Sequence, residues 1–138
     1  GAILGLTLAT TPEDIYRGLM EGVTYEMRLN LEQLKDAGIE INKITATGGG
    51  SSSDVWLQMK ADILNMPVTV SGVSQAGAIG SIIMTGLTCR LYYSDEEAFS
   101  KFPGNPKTYY PRPEMTAVYD KLYAGYKKAY HAVKETRS

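Results

Sequence analysis

The sequence predicts an α/β domain with too few strands for a complete sheet. Three observations carry this. Two long stretches have helical periodicity, about 12–37 and 114–135. Two short runs, 43–47 and 68–70, have strand character. Between the first of these runs and an amphipathic helix lies a turn made only of Gly and Ser.

The first helix is the clearest element. Thr11 is an N-cap, Pro12 takes the first helical position, and Glu13 and Asp14 favour the positive end of the dipole. Ile15, Leu19, Val23, Met27, Leu31 and Leu34 follow at three- or four-residue spacing as an apolar stripe, and Gly38 ends the helix as a C′ residue. Before it, residues 3–9 read as a short strand or an extended segment.

A strand is expected at 43–47, where Ile44 leads into Thr45-Ala46-Thr47. The turn Gly48-Gly49-Gly50-Ser51-Ser52-Ser53 follows. A helix over 54–65 places Trp56, Met59 and Ile63 on one face, and Asn65-Met66-Pro67 breaks it before the strand Val68-Thr69-Val70. Ser74 is a candidate cap for a helix over 75–87. The small residues Ala76, Gly77, Ala78, Gly80 and Ser81 suggest close approach to a neighbour there. Ser94-Asp95-Glu96-Glu97 starts a further helix, and Gly104-Asn105-Pro106 and Pro111-Arg112-Pro113 mark an irregular loop. In the last helix Val118, Leu122, Tyr126 and Tyr130 form the expected apolar stripe, with Tyr119 and Tyr123 beside them. The helical spacing of these tyrosines favours packing over a stacking platform for bases or sugars.

Composition excludes several functions. At 138 residues the chain fits one domain with a real core. A net charge of −1 leaves no electrostatic footprint for nucleic acid or an anionic membrane. The pair Lys127-Lys128 reads as a solvated face. No apolar run is long enough to span a membrane, and no basic leader opens the chain. One cysteine, Cys89, forms no internal disulfide and fits a reducing, cytoplasmic compartment. It reads as a small core residue, and with His131 as the sole histidine a Cys/His zinc site is out. The metal expectation for this chain is therefore none. The opening Gly1-Ala2-Ile3-Leu4-Gly5-Leu6 reads as the interior of a longer protein.

The glycine turn carries the functional argument. Its composition alone would suit a linker, but a strand run leads directly in and a helix leads directly out. Such a unit is where backbone approaches a nucleotide. A P-loop needs a lysine at the helix start, and none is present. A dinucleotide fingerprint would use Gly48 and Gly50 but finds Ser53 where its third glycine belongs. An adenosine-contacting turn remains. Asp54, in the first helical turn, would compete with a phosphate for the dipole yet tolerate a neutral adenosine, unless its side chain points away.

The stretch from Thr47 to Val68, TGGGSSSDVWLQMKADILNMPV, resembles the adenosine motif of the FGGY carbohydrate kinases. Gly1–Thr7 with Tyr16–Val23, and Gln75–Ser81, resemble the segments flanking that motif, so the likeness spans about residues 1–90 in order. The C-terminal third resembles the family only loosely.

The resemblance implies part of an RNase-H-like lobe of an actin-like ATPase fold, with residues 1–138 as a C-terminal kinase domain lacking its N-terminal lobe. It implies transfer of the ATP γ-phosphoryl, with Mg²⁺, to a sugar hydroxyl activated by an aspartate base. It implies ATP-binding roles for Gly48, Gly49, Gly50, Ser52 and Ser53, with Ser53 at the adenine and Ser51 and Ser52 weaker candidates. Gln75 stands where many relatives carry an acid. The catalytic aspartate, the phosphate loop and most sugar contacts are expected upstream, so no catalytic residue is assigned and the chain alone should be inactive. Asp14, Asp36, Asp54, Asp62, Asp95 and Asp120 read as capping or surface acids. The alternative is a non-catalytic nucleotide- or sugar-binding module or regulator built on the same lobe. In either case Ile3, Leu4 and Leu6 are expected to be exposed, or covered by a second copy in a homodimer.

Overall fold

The computed structural model describes residues 2–72 and 76–135. Among the described residues, five helices and three strands follow in the order α1 (Pro12–Asp36), β1 (Ile44–Ala46), α2 (Asp54–Leu64), β2 (Val68–Val70), α3 (Ala76–Thr88), α4 (Asp95–Ser100), β3 (Lys107–Tyr109) and α5 (Pro113–Glu135). A single 3-10 turn, Gly49–Ser51, precedes α2.

The helix ends follow the capping chemistry in the sequence. Thr11 and Asp14 form a reciprocal capping box at the start of α1: the Thr11 hydroxyl accepts from the Asp14 N–H, and the Asp14 carboxylate accepts from the Thr11 N–H. Gly38, just past the end of α1, has φ +83° and takes the left-handed conformation that its position requires. Ser53 caps α2 and Ser94 caps α4 more simply, each hydroxyl accepting one backbone N–H, from Trp56 and Glu97 respectively. The expected cap Ser74, and Gln75, lie outside the described residues.

The sheet has order β1-β2-β3, with β1 and β2 parallel and β3 antiparallel to β2. β3 lies in the segment expected to be an irregular loop. Its pairing with β2 sets Tyr109 opposite Val68 and Thr108 opposite Thr69, whose hydroxyls meet at 3.0 Å. No strand forms over residues 3–9.

Helix α2 is the centre of the molecule. Leu57 and Ala61 face the sheet and pack with Val68 and Tyr109, while Met59 and Ile63 face the other way into Tyr25, Tyr119 and Tyr123. The order of layers is therefore sheet, then α2, then the pair α1 and α5. Burial on both sides explains why α2 is apolar around most of its circumference.

The buried faces of α1 and α5 differ from the expected stripes. In α5, Tyr119 and Tyr123 are 2% exposed, whereas Val118 and Leu122 are 48% and 50% exposed. In α1, Thr24 and Tyr25 are buried and Leu19 and Val23 are exposed. On α5 tyrosine wins the inner position because its hydroxyl reaches a carboxylate at the rim, whereas Tyr25 of α1 is held by ring contacts alone and its hydroxyl has no partner among the described residues. Tyr123 donates to Glu32 at 2.9 Å and Tyr126 to Glu26 at 2.8 Å, both across to α1. Arg28 reinforces the seam, 2.7 Å from Asp120 and 4.4 Å above the Tyr123 ring. The tyrosines are thus a packing element.

Three further expectations are corrected. Cys89 is exposed, because it follows α3 in a turn outside both core clusters. The small residues at the start of α3 do not meet a neighbour: a side chain at Gly77 or Gly80 would touch nothing within 4 Å. The close approach on α3 is instead at Gly86, where the Tyr92 ring fills the space of a side chain. Asp62 is not a surface acid but fully buried, for the reason given below.

Ile3, Leu4 and Leu6 are exposed. With Ile15, Leu19 and Tyr126 they line an open apolar groove of about 1140 Å³ between the N-terminal segment, α1 and α5. No helix among the described residues is long and apolar enough to cross a membrane.

Candidate functional site

The turn between β1 and α2 contains three glycines; the structure shows why two of them lack a side chain and shows no such reason for the third. Gly48 has φ +79° and ψ −169°, a backbone conformation essentially reserved for glycine. Gly50 lies over the tryptophan: an added Cβ would sit 3.3 Å from Cζ3 of Trp56 and 3.5 Å from Nζ of Lys60. Gly49 has neither constraint. It is exposed, its φ is ordinary, and a Cβ there would meet nothing within 4 Å. Its bare backbone faces open space.

The serines divide similarly. Ser51 Oγ donates to the Gly48 carbonyl at 2.6 Å and closes the turn on itself. Ser53 Oγ accepts the Trp56 N–H at 3.3 Å as the helix cap, which leaves its own hydroxyl proton for another acceptor. Ser52 is exposed and its hydroxyl has no partner among the described residues.

The floor of the turn is Trp56 and Lys60, one helical turn apart on α2. The Trp56 indole N–H donates to the Thr24 hydroxyl at 3.2 Å, and Thr24 donates to the Met20 carbonyl at 2.8 Å, so the floor is bolted to α1. Lys60 Nζ lies 4.2 Å from the centre of the Trp56 ring and 3.4 Å from the Gly50 carbonyl, to which it donates. Burial pushes the Lys60 ammonium below its usual pKa.

Asp54 does not oppose this turn. Its carboxylate accepts from Lys107 at 2.8 Å and from the Tyr109 hydroxyl, both on β3. The Lys107 bond first, then the Tyr109 bond, hold its pKa below the ordinary carboxylate value. Because Lys107 compensates the charge, Asp54 is a weaker barrier to phosphate than the sequence suggested. The strand that supplies Lys107 was not foreseen.

Asp62 sits at the opposite end of α2, fully buried. Its carboxylate accepts from the Arg112 guanidinium and from the Arg112 backbone N–H, at 2.6 Å and 2.8 Å, and from Gln58 at 3.1 Å. These contacts fix the loop leading into α5 and leave no carboxylate lone pair aimed at a ligand. No group of three or more His, Cys, Asp or Glu side chains that could hold a metal ion forms among the described residues. His131 is exposed on α5 against Tyr130.

Of the residues expected to bind, Gly49 and Ser52 are exposed and Ser53 is half-buried at the helix start, while Gly48, Gly50 and Ser51 shape the turn. Trp56, Lys60 and Thr24 form its support. The sequence placed Trp56 on a core face but carried no signal that Lys60 turns inward.

Residues 1–89 match the model of the C-terminal domain of the FGGY family of carbohydrate kinases. The chain is 40% identical over 136 residues to a ribulokinase of Bacillus licheniformis, covering 94% of this chain and 25% of the relative. It is 31% identical over 135 residues to a glycerol kinase of Lactococcus lactis, covering 97% of this chain and 27% of the relative. Among solved structures, a xyloylose kinase of Brucella ovis superposes with a TM-score of 0.79 at 28% identity, covering 96% of this chain and 27% of that one. The chain thus spans about a quarter of the length of these relatives. Its mixed helix–sheet fold is that of part of a sugar-kinase lobe of the actin-like ATPase type. A family match over residues 1–89 and a shared fold lead to one conclusion: this chain belongs to the FGGY family of carbohydrate kinases, in the family's C-terminal domain.

Proposed function

We propose that this chain is the adenosine-binding portion of an ATP-dependent carbohydrate kinase, which transfers the γ-phosphoryl of ATP to a sugar hydroxyl. The observation that carries this is Gly49: a glycine that neither backbone strain nor internal packing requires, on an exposed turn at the start of a helix. A bare backbone there suits close approach by a flat ligand, and the spare hydroxyls of Ser52 and Ser53 suit the nitrogen and hydroxyl groups of adenosine. Gly48 and Gly50 keep the turn in shape for that contact.

ATP brings the phosphoryl group. Mg²⁺, the base and most sugar contacts are assigned to other parts of such a kinase, as the family resemblance implies. The compartment assigned is the cytoplasm, where ATP and reduced thiols coexist. The similar kinases act, by name, on ribulose, xylulose, glycerol and gluconate, so the acceptor proposed is a small sugar or sugar derivative bearing a free hydroxyl.

The test is Gly49→Val in the full-length kinase. A Cβ at this position meets nothing within 4 Å, so the fold should be spared, while the KM for ATP should rise about tenfold or more and that for sugar stay put. An unchanged KM for ATP would remove the adenosine assignment.

A further inference from the structure

Two charged side chains are buried in α2, and only one is compensated. Asp62 has the Arg112 guanidinium. Lys60 is 8% exposed, and among the described residues no carboxylate lies within ion-pair distance of it. An ammonium taken from water without a counter-ion costs stability, and a methionine of similar length would fill the same space without that cost. Packing therefore does not account for a lysine here.

Its surroundings do. Lys60 Nζ reaches back one turn of α2 to the Trp56 ring and upward to the Gly50 carbonyl. Gly50 is the residue whose absent side chain lets the turn settle onto the indole. The indole in turn is held by Thr24 of α1. A continuous chain of contacts thus runs from α1 through Trp56 and Lys60 to the carbonyl next to Gly49.

We propose that Lys60 is a positioning residue for the nucleotide. Its ammonium draws the Gly50 carbonyl down over the Trp56 ring and so fixes the outward presentation of the Gly49 backbone and the Ser53 hydroxyl. It does not touch the ligand. Without it the Gly50 carbonyl is released, and the turn samples orientations that present Gly49 less well. This inference rests on the adenosine assignment above.

The experiment compares Lys60→Met with Gly49→Val in the full-length kinase. For Lys60→Met the KM for ATP should rise about fivefold to tenfold, with kcat at saturating ATP and the KM for sugar unchanged. An unchanged KM for ATP overturns the proposal, as does a parallel rise in the KM for sugar, which marks general loss of structure. If Lys60→Met yields no folded protein, Lys60→Gln applies the same criteria with a neutral side chain. When Gly49→Val raises the KM for ATP and the Lys60 variant does not, the positioning role alone fails. When neither changes it, the adenosine assignment fails as well.

Discussion

Arg112 grips Asp62 from two directions, with its guanidinium Nη2 2.6 Å from Oδ2 and its own backbone N–H 2.8 Å from Oδ1. The carboxylate is fully buried and the guanidinium half-exposed. Arg112 therefore keeps some hydration while Asp62 depends entirely on its partners. Replacing Asp62 with Ala strands the Arg112 N–H and leaves its guanidinium without a counter-ion, and should cost about 3 kcal/mol. Arg112→Lys should recover little, because an ammonium lacks the fork that meets Oδ2 twice. Urea unfolding of both variants measures this.

The glycine turn allows a paired comparison. Gly50→Ala pushes a Cβ to 3.3 Å from the Trp56 ring and should destabilise the domain by about 1 kcal/mol. Gly49→Ala meets open space and should be neutral or stabilising by about 0.5 kcal/mol, through the unfolded state. Thermal denaturation of the two variants side by side separates the structural glycine from the one left bare.

Trp56 is the chain's sole tryptophan, and it lies beneath the turn. Adenosine or ATP added to this chain should perturb its fluorescence weakly, at millimolar concentrations, because the chain spans only about a quarter of the length of its relatives. A sugar without nucleotide should leave the emission unchanged. Thr24→Val should shift the emission without any ligand, since the indole N–H loses its acceptor.

The Asp54–Lys107 contact predicts a pH dependence. The folded pKa of Asp54 is lowered from the usual 3.8, chiefly by Lys107. Its contribution to stability is therefore present above the unfolded carboxylate pKa and fades as pH falls through the lower folded value. Asp54→Asn should be less stable than the parent at pH 6, and the gap should close in strong acid. Both partners are solvent-exposed, so the gap should be small and shrink further in salt.

The apolar groove between the N-terminal segment, α1 and α5 predicts self-association of the isolated chain. Ile3, Leu4, Leu6, Leu19 and Val23 are all exposed along it. Sedimentation at tens of micromolar should show a concentration-dependent dimer, and Leu19→Glu should restore the monomer. A monomeric parent over that range would contradict the expectation.

The sequence by itself determined the local chemistry. Thr11, Ser53 and Ser94 marked helix starts, Gly38 marked an end, and the run from Thr47 to Val68 carried the family resemblance, because capping and turn formation depend on neighbours within a few residues. What only tertiary structure decided was which face of each element turned inward. The apolar spacing of Leu19 with Val23 and of Val118 with Leu122 was legible, yet Tyr25, Tyr119 and Tyr123 took the core. The Tyr119 and Tyr123 hydroxyls reach carboxylates on a partner helix that no local pattern reveals, and Tyr25 is buried by packing its ring against theirs. β3 formed inside an apparent loop because the edge of β2 was open to it, and that strand brought Lys107 to Asp54. Asp62 and Lys60 look like surface charges in a helical pattern, and only the sheet on one side of α2 and two helices on the other bury them. The glycine turn was visible in the sequence, whereas the lysine beneath it required the fold.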